Sequence, residues 1–215
     1  MLAKELFDIT GLLLHGVGDT FVITLSCFAT AFISGLGVAA LRRLTGSRVG
    51  RILDLMVFIL RAIPVLVLLF LIYFGLPGFG FSVPPLAAMN LSLGLIGGAY
   101  LSEVFRGALL AVDEQEMAAA RASGFSALQI LRFIEFPQML RFSVPGVMNE
   151  LTAILKNTPF AYTVGVTEIL GQAKALTAST MLGMSIYMLA GVLYFLIYKF
   201  FQIVLTKIKN RYAVE

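Results

Sequence analysis

The chain is poor in the residue types on which most catalytic and metal sites depend. It contains one histidine and one cysteine, which excludes an intrachain disulfide and leaves no His and Cys ligands at the spacing of a metal site. The Gly-rich phosphate-binding sequence of the Walker type does not occur in it either. We therefore predict no catalytic residue, no metal site and no ATP-hydrolysing site, so any energy that this protein uses comes from a partner.

Charge is scarce as well. Charged residues make up 13% of the chain, well below the roughly 25% that is usual in soluble domains, and the mean hydropathy is +0.93. Residues 62–102 carry no charge at all, which is more than one helix needs to cross about 30 Å of hydrocarbon. These features predict an all-α membrane protein with a single membrane domain.

The apolar sequence divides into about five predicted spans. A Gly- and Pro-rich turn at 75–85 splits the long uncharged stretch, and small residues at 29–40 and 92–99 favour close helix contacts. We place an interfacial segment at 1–15, the membrane domain at 16–212, and a segment at 157–174 that re-enters the membrane or lines the outer surface. The predicted spans are roughly 20–41, 52–74, 84–105, 138–156 and 175–199.

The positive charge predicts the orientation in the membrane. The net charge of +4 comes from basic clusters that border the apolar stretches, which is the positive-inside pattern and not a nucleic-acid footprint. In a five-span arrangement all of them face the cytoplasm, with the N-terminus outside and the C-terminus inside. The acidic N-terminal residues predict no removable signal peptide. The clusters contain Arg42, Arg43, Arg48 and Arg51; Arg121, Arg132 and Arg141; and Lys207, Lys209 and Arg211.

Residues 113–137 form the longest stretch in which charged residues alternate with apolar ones. The acidic residues from Asp113 onward suit the first turn of a helix, where negative charge is favourable. Gly124 falls where this helix would end on a left-handed residue, with Phe125 folding back on Ala120. The sequence thus predicts a short helix that ends in a tight corner.

A second short helix is predicted to follow the corner. Ser126 and Gln129 have the spacing of a capping box, and Pro137 is expected to stop this helix. Two short helices that lie between membrane spans and carry small residues are suited to docking into a partner protein.

The corner resembles the EAA loop of permease subunits of bacterial ABC importers. The pattern is carried by Ala119, Ala120, Gly124, Ile134 and Pro137. One departure is that position 118, where the family has the glutamate of its name, is alanine here. Other motifs, from about residue 16 to the C-terminus, resemble the branch that imports polar amino acids. These are Arg-Ala-Ile-Pro at 61–64, Tyr-Phe-Gly-Leu-Pro at 73–77, Ala-Tyr at 99–100, Glu-Val-Phe-Arg-Gly at 103–107, Pro-Gln at 137–138, Asn-Glu at 149–150 and Lys156.

The resemblance implies a type I importer permease in the bacterial cytoplasmic (inner) membrane, in contact with lipid. Its expected partners are a cytoplasmic ATPase dimer, a second permease subunit that is identical or paralogous, and an extracytoplasmic amino-acid-binding protein. ATP and Mg²⁺ would be bound by the ATPase, so no cofactor is expected in this chain. Alternating access would move the amino acid, with the loop as the coupling element. The residues expected at the ATPase are Ala119, Ala120, Arg121, Gly124 and Phe125.

Ionisable residues inside the predicted spans are the candidates for a solute path. A charge near the bilayer centre costs about 2.5–3.5 kcal/mol on insertion scales, so it is expected to face a cavity or a partner. The sequence allows two interpretations of Arg61 and Glu150, namely a buried salt bridge that fixes helix packing or a path for a zwitterionic solute. Glu103 could equally pair with Arg106 one turn away. The predicted path residues are Arg61, Glu103, Asn149, Glu150 and Lys156.

Two other classes of membrane protein compete with an importer subunit. An ion-coupled secondary transporter of a small polar solute would usually show an internal inverted repeat, and we find none in this sequence. A structural or assembly protein would not need arginine and glutamate within its spans. The motifs do not distinguish among lysine, arginine, histidine, glutamine, glutamate and cystine as solutes.

Overall fold

The chain is built from helices that are interrupted by π-helical and 3₁₀-helical turns. The computed structural model describes residues 2–180 and 182–212, with side chains at 10–180 and 182–207, and these residues contain no β-strand. The α-helices are α1 (Leu2–Leu44), α2 (Ser47–Ala62), α3 (Val65–Phe70), α4 (Pro85–Met89), α5 (Leu95–Leu110), α6 (Glu114–Ala122), α7 (Ala127–Ile130), α8 (Phe136–Asn157), α9 (Ile169–Thr180) and α10 (Gly183–Tyr212). The π-helical turns are Leu71–Gly75, Asn90–Gly94 and Leu131–Glu135, and the 3₁₀ turns are Leu76–Phe79 and Thr158–Val164.

Within the described residues, three helical stretches are long and apolar enough to cross a membrane: Thr10–Leu44, Pro85–Leu110 and Gly183–Lys207. A fourth is the pair Ser47–Ala62 and Val65–Phe79, which is bent by 97°. Helix α8 has 22 residues but carries Arg141, Glu150 and Lys156, so composition alone does not mark it as a span. By length and composition, the described residues thus provide three or four membrane spans, where the sequence predicted about five.

Several helix boundaries differ from the predicted ones. Helix α1 runs from Leu2 to Leu44 without a break at residue 15, because no proline interrupts this stretch. The predicted span at 52–74 is broken at Ile63, whose backbone is extended (φ −86°, ψ 128°) immediately before Pro64. The predicted span at 175–199 is divided between two helices, because α9 ends at Thr180 and α10 begins at Gly183.

The small residues of α1 and α5 bring these two helices into close contact, as predicted. A Cβ added to Gly35 would lie 2.8 Å from the carbonyl oxygen of Gly98, and one added to Gly98 would lie 2.0 Å from Ser34 Oγ. Buried Phe105 and Leu101 of α5 extend this contact into the main core. The α1–α5 pair therefore forms the closely packed centre against which the neighbouring helices lie.

The predicted corner is present in the structure. The Asp113 side chain accepts a hydrogen bond from the Gln115 backbone N–H at 2.8 Å. Gly124 has a left-handed backbone with φ 84°, and the Phe125 N–H donates to the Ala120 carbonyl at 3.1 Å. Both hydrogen bonds of the capping box between Ser126 and Gln129 are formed.

The prediction that Pro137 stops the second helix is wrong. Helix α7 continues through the π-helical turn Leu131–Glu135 directly into α8, which begins at Phe136. Pro137 lies in the first turn of α8, directly after the π-helical turn, so its missing N–H falls where the hydrogen-bond pattern changes from π to α. The corner and α8 are consequently one continuous helical path.

Candidate solute cavity and docking corner

A cavity of about 460 Å³ lies where the break between α2 and α3 faces α5 and α8. The break at Pro64 exposes the end of α2, and the small residue Gly97 of α5 leaves room beside it. The lining residues are Arg61, Ala62, Ile63, Pro64, Val65, Leu93, Ile96, Gly97, Tyr100, Glu150, Ala153 and Asn157.

Arg61 enters this cavity from the last turn of α2. A positive charge is favourable there, because the carbonyl groups at a helix C-terminus carry partial negative charge. The Arg61 guanidinium carbon lies 4.9 Å from the centroid of the Tyr100 ring, a distance at which cation and ring attract each other. The side chain of Arg61 is otherwise exposed, so its donors are free to contact a ligand.

Glu150 enters the same cavity from α8. Its Oε1 would lie 3.0 Å from a Cβ added to Gly97, so the carboxylate packs directly against the bare backbone of α5. No ion pair joins Arg61 and Glu150 among the side chains that the structure describes. The salt-bridge interpretation is therefore not what this structure shows, and the two opposite charges share a cavity without contact.

The remaining predicted path residues lie elsewhere. Asn149 is exposed on α8 and is not in the cavity lining. Lys156 lies in a second cavity of about 560 Å³ beside α10, with its Nζ 5.4 Å from the centroid of the Tyr198 ring. Glu103 pairs with Arg106 at 2.8 Å, which is the alternative that the sequence left open. Of the five predicted path residues, the structure thus brings together Arg61 and Glu150.

Two polar residues that the predicted path did not include, Tyr100 and Asn157, also line the cavity. Tyr100 follows Gly97 by three residues and Asn157 follows Glu150 by seven, so each lies on the same helix face as a cavity residue. That periodicity is the signal by which they could have been found.

A network of charges joins the predicted cytoplasmic ends of α1, α2 and α5. Arg42 of α1 contacts Asp54 of α2 and Glu103 of α5, each at 2.6 Å. Arg43 makes two parallel hydrogen bonds to Glu135, of 2.8 and 2.6 Å. From sequence, these arginines were assigned only a role in orientation, because no local pattern identifies partners that lie far along the chain.

In the corner between α6 and α7, most of the residues predicted to contact the ATPase are exposed. Ala119, Arg121 and Gly124 are exposed, and Phe125 is 41% exposed. Ala120 is a correction, since it is only 8% exposed, and its carbonyl accepts the hydrogen bond from the Phe125 N–H. Three large apolar side chains on either side of these residues in the sequence, which were not singled out before, are exposed as well: Leu110, Leu128 and Phe133.

The chain matches the protein family described as "Binding-protein-dependent transport system inner membrane component" over residues 19–213. It therefore belongs to this family, and the resemblance found in the sequence is confirmed. The family places the chain in the inner membrane as the membrane-spanning permease subunit of an ABC importer.

Individual relatives and a solved structure agree with the family. The chain is 32% identical, over 97% of its length and 96% of the relative's, to the histidine/lysine/arginine/ornithine transport system permease protein HisQ of Escherichia coli (strain K12). It is 30% identical to the probable glutamine ABC transporter permease protein GlnP of Bacillus subtilis (strain 168), over 82% and 84% of the two chains. A crystal structure of an amino acid ABC transporter with histidines superposes with a TM-score of 0.88 and 25% identity, over 96% of both chains. The predicted all-α fold of a type I importer permease is confirmed.

Proposed function

We propose that this permease subunit carries a polar amino acid across the inner membrane through the cavity between α2, α5 and α8. The observation that carries the proposal is the placement of Arg61 and Glu150 in one cavity, with no ion pair between them. A guanidinium and a carboxyl group that face one cavity without contacting each other leave hydrogen-bonding groups of both kinds open to a ligand. A ligand that brings its own opposite charges would compensate both of them.

An amino acid has the chemistry that these two side chains require. Its carboxylate can accept parallel hydrogen bonds from the planar guanidinium of Arg61, a contact for which arginine is suited. Its ammonium can donate to the carboxylate of Glu150. The amide of Asn157 and the hydroxyl of Tyr100 line the same space and can hydrogen-bond polar groups of the solute. A volume of about 460 Å³ also falls within the roughly 300–1,000 Å³ that is usual for small-molecule sites.

The energy for transport would come from a separate ATPase that docks on the corner. The exposed face of Ala119, Arg121 and Phe125, extended by Leu128, offers apolar area with one positive charge. Two ATPase subunits would bind ATP and Mg²⁺, and their closure would move the corners of two permease subunits together. This chain would then act as a transport subunit of an ATP-hydrolysing complex without hydrolysing ATP itself.

The solute would reach the cavity from an extracytoplasmic binding protein, and alternating access would release it on the other side. The second permease subunit would be identical to this chain or paralogous to it. One relative is named for transport of histidine, lysine, arginine and ornithine, and another for glutamine. These names support a polar amino acid as the solute class.

The test is uptake by the purified complex in proteoliposomes with the ATPase and binding protein from the same genome. We expect uptake of at least one amino acid from a labelled panel of arginine, histidine, lysine, glutamine, glutamate and cystine, and only with ATP inside. Uptake that follows an ion gradient without ATP would instead identify a secondary transporter. ATP hydrolysis that no loaded binding protein stimulates would contradict a transport role.

A further inference from the structure

Two parallel hydrogen bonds between Arg43 and Glu135 join the end of α1 to the π-helical turn that follows α7. Glu135 is 2% exposed and ends the π-helical turn between α7 and α8. Arg43 lies in the last turn of α1. Its Nε and Nη2 donate to both carboxylate oxygens of Glu135, a geometry that fixes orientation as well as distance.

The adjacent residue extends this connection to the walls of the cavity. Arg42 contacts Asp54 of α2 and Glu103 of α5. Asp54 precedes Arg61 by seven residues, about two helical turns, and Glu103 follows Tyr100 by three, about one turn. Two consecutive arginines of α1 therefore link the corner to both helices that place Arg61 and Tyr100 in the cavity.

We propose that Arg43 and Glu135 are positioning residues for coupled transport, which rests on the function proposed above. They hold the corner against α1, so that a movement imposed by the ATPase reaches α2 and α5 and not α8 alone. Glu135 lies where the helical hydrogen-bond pattern changes from π to α, and π-helical turns are frequent at functional positions. Without the pair, this turn would let the corner rotate relative to α1.

The test compares complexes that carry Arg43→Gln, Arg43→Lys or the exchange R43E/E135R. The matched control is Arg51→Gln, because Arg51 is also basic, exposed and near the start of α2. Among the described residues, it makes one hydrogen bond, a long one of 3.4 Å to the Ser47 carbonyl. Three quantities are measured: ATPase retained in pull-down, ATP hydrolysis with and without loaded binding protein, and amino-acid uptake.

We expect Arg43→Gln to keep the ATPase bound and its basal hydrolysis intact. Uptake should fall at least roughly tenfold, as misplacement of distant parts can cause, and loaded binding protein should no longer stimulate hydrolysis. Arg43→Lys should give intermediate uptake, since lysine keeps the positive charge but cannot donate the two parallel hydrogen bonds. The exchange R43E/E135R should restore most of the uptake.

Each contrary result has a definite meaning. If Arg43→Gln transports as well as Arg51→Gln, the pair does not position the corner. If the ATPase is lost from the Arg43→Gln complex, or the exchange restores nothing, the pair is structural and the inference is overturned. Absence of uptake in the wild-type complex would overturn the proposed function, and this inference with it.

Discussion

The carboxylate of Glu150 lies against Gly97, with Oε1 3.0 Å from the position that a Cβ on Gly97 would occupy. The same Cβ would lie 3.1 Å from the Ala31 Cβ of α1, so α1, α5 and α8 meet at this one backbone position. The glycine leaves just enough space for the carboxylate to reach the cavity. The contact between α1, α5 and α8 therefore fixes the position of the Glu150 carboxyl group in the cavity.

We expect Glu150→Gln to reduce transport while the complex still assembles. Glutamine keeps the shape but removes the negative charge that an ammonium would contact. A hydrogen bond to a charged group contributes roughly 1.5–3 kcal/mol, so uptake should fall about 10- to 100-fold. Asp19→Asn is the control, because it makes the same carboxylate-to-amide change at an exposed position of α1 outside the cavity. Loss of ATPase from the Glu150→Gln complex would show that the residue has a structural role.

The features predicted correctly from sequence are those fixed by local chemistry. The left-handed Gly124 and the capping box of Ser126 depend on neighbouring residues only. The break at Ile63, inside the span predicted at 52–74, was not predicted. The path residues were harder to predict, since depth along a helix says nothing about the direction of a side chain. Lys156 follows Glu150 by six residues, which places it on a different face of α8 and in another cavity.

The ion pairs could not be predicted from local pattern at all. Arg43 and Glu135 are separated by 92 positions in the chain, and only the packing of α1 against the corner brings them together. Likewise, Ala120 belongs to the predicted docking motif but is buried. Membership of the motif did not determine which of its residues are exposed.

Accessible cysteines should report the orientation in the membrane. In a Cys27→Ala background, we expect Ser82→Cys, in the hairpin between α3 and α4, to react with a membrane-impermeant maleimide added to intact cells. Ser123→Cys, in the corner, should react only after permeabilisation. Both serines are exposed, so solvent access does not separate them. The opposite pattern of labelling would reverse the predicted topology.

Gly98→Ala should destabilise the contact between α1 and α5. The added methyl would lie 2.0 Å from Ser34 Oγ and 3.2 Å from the Ala31 carbonyl oxygen, and overpacking of this kind typically costs about 1–3 kcal/mol. Gly37→Ala is the matched control, because among the described residues no atom outside the adjoining backbone lies within 4 Å of its Cβ position. We expect a lower thermal midpoint in detergent for Gly98→Ala alone. Equal midpoints would show that the helices separate at little cost.

The angle of the corner should decide whether the ATPase is held. Gly124 has φ 84°, a left-handed conformation that costs other residues roughly 1–2 kcal/mol. Apart from its chain neighbours, no atom of the described part of the chain lies within 4 Å of its Cβ position. Gly124→Val is therefore strained by its backbone and not by a clash. It should leave the membrane helices folded but change the angle between α6 and α7, and so the relative placement of Ala119 and Phe125.

The measurement is pull-down of the ATPase in detergent, together with hydrolysis stimulated by loaded binding protein. Gly124→Val should lose both, whereas Gly124→Asn should keep both, since asparagine adopts the left-handed region more readily. Ala118→Glu, at an exposed position of α6, supplies the glutamate that the family usually has and should be tolerated. If Gly124→Val binds the ATPase and is stimulated as well as Gly124→Asn, the left-handed corner is not what positions the docking surface. The exposed apolar side chains of α7 and the following turn, Leu128 and Phe133, would then have to hold the ATPase independently of the corner's angle.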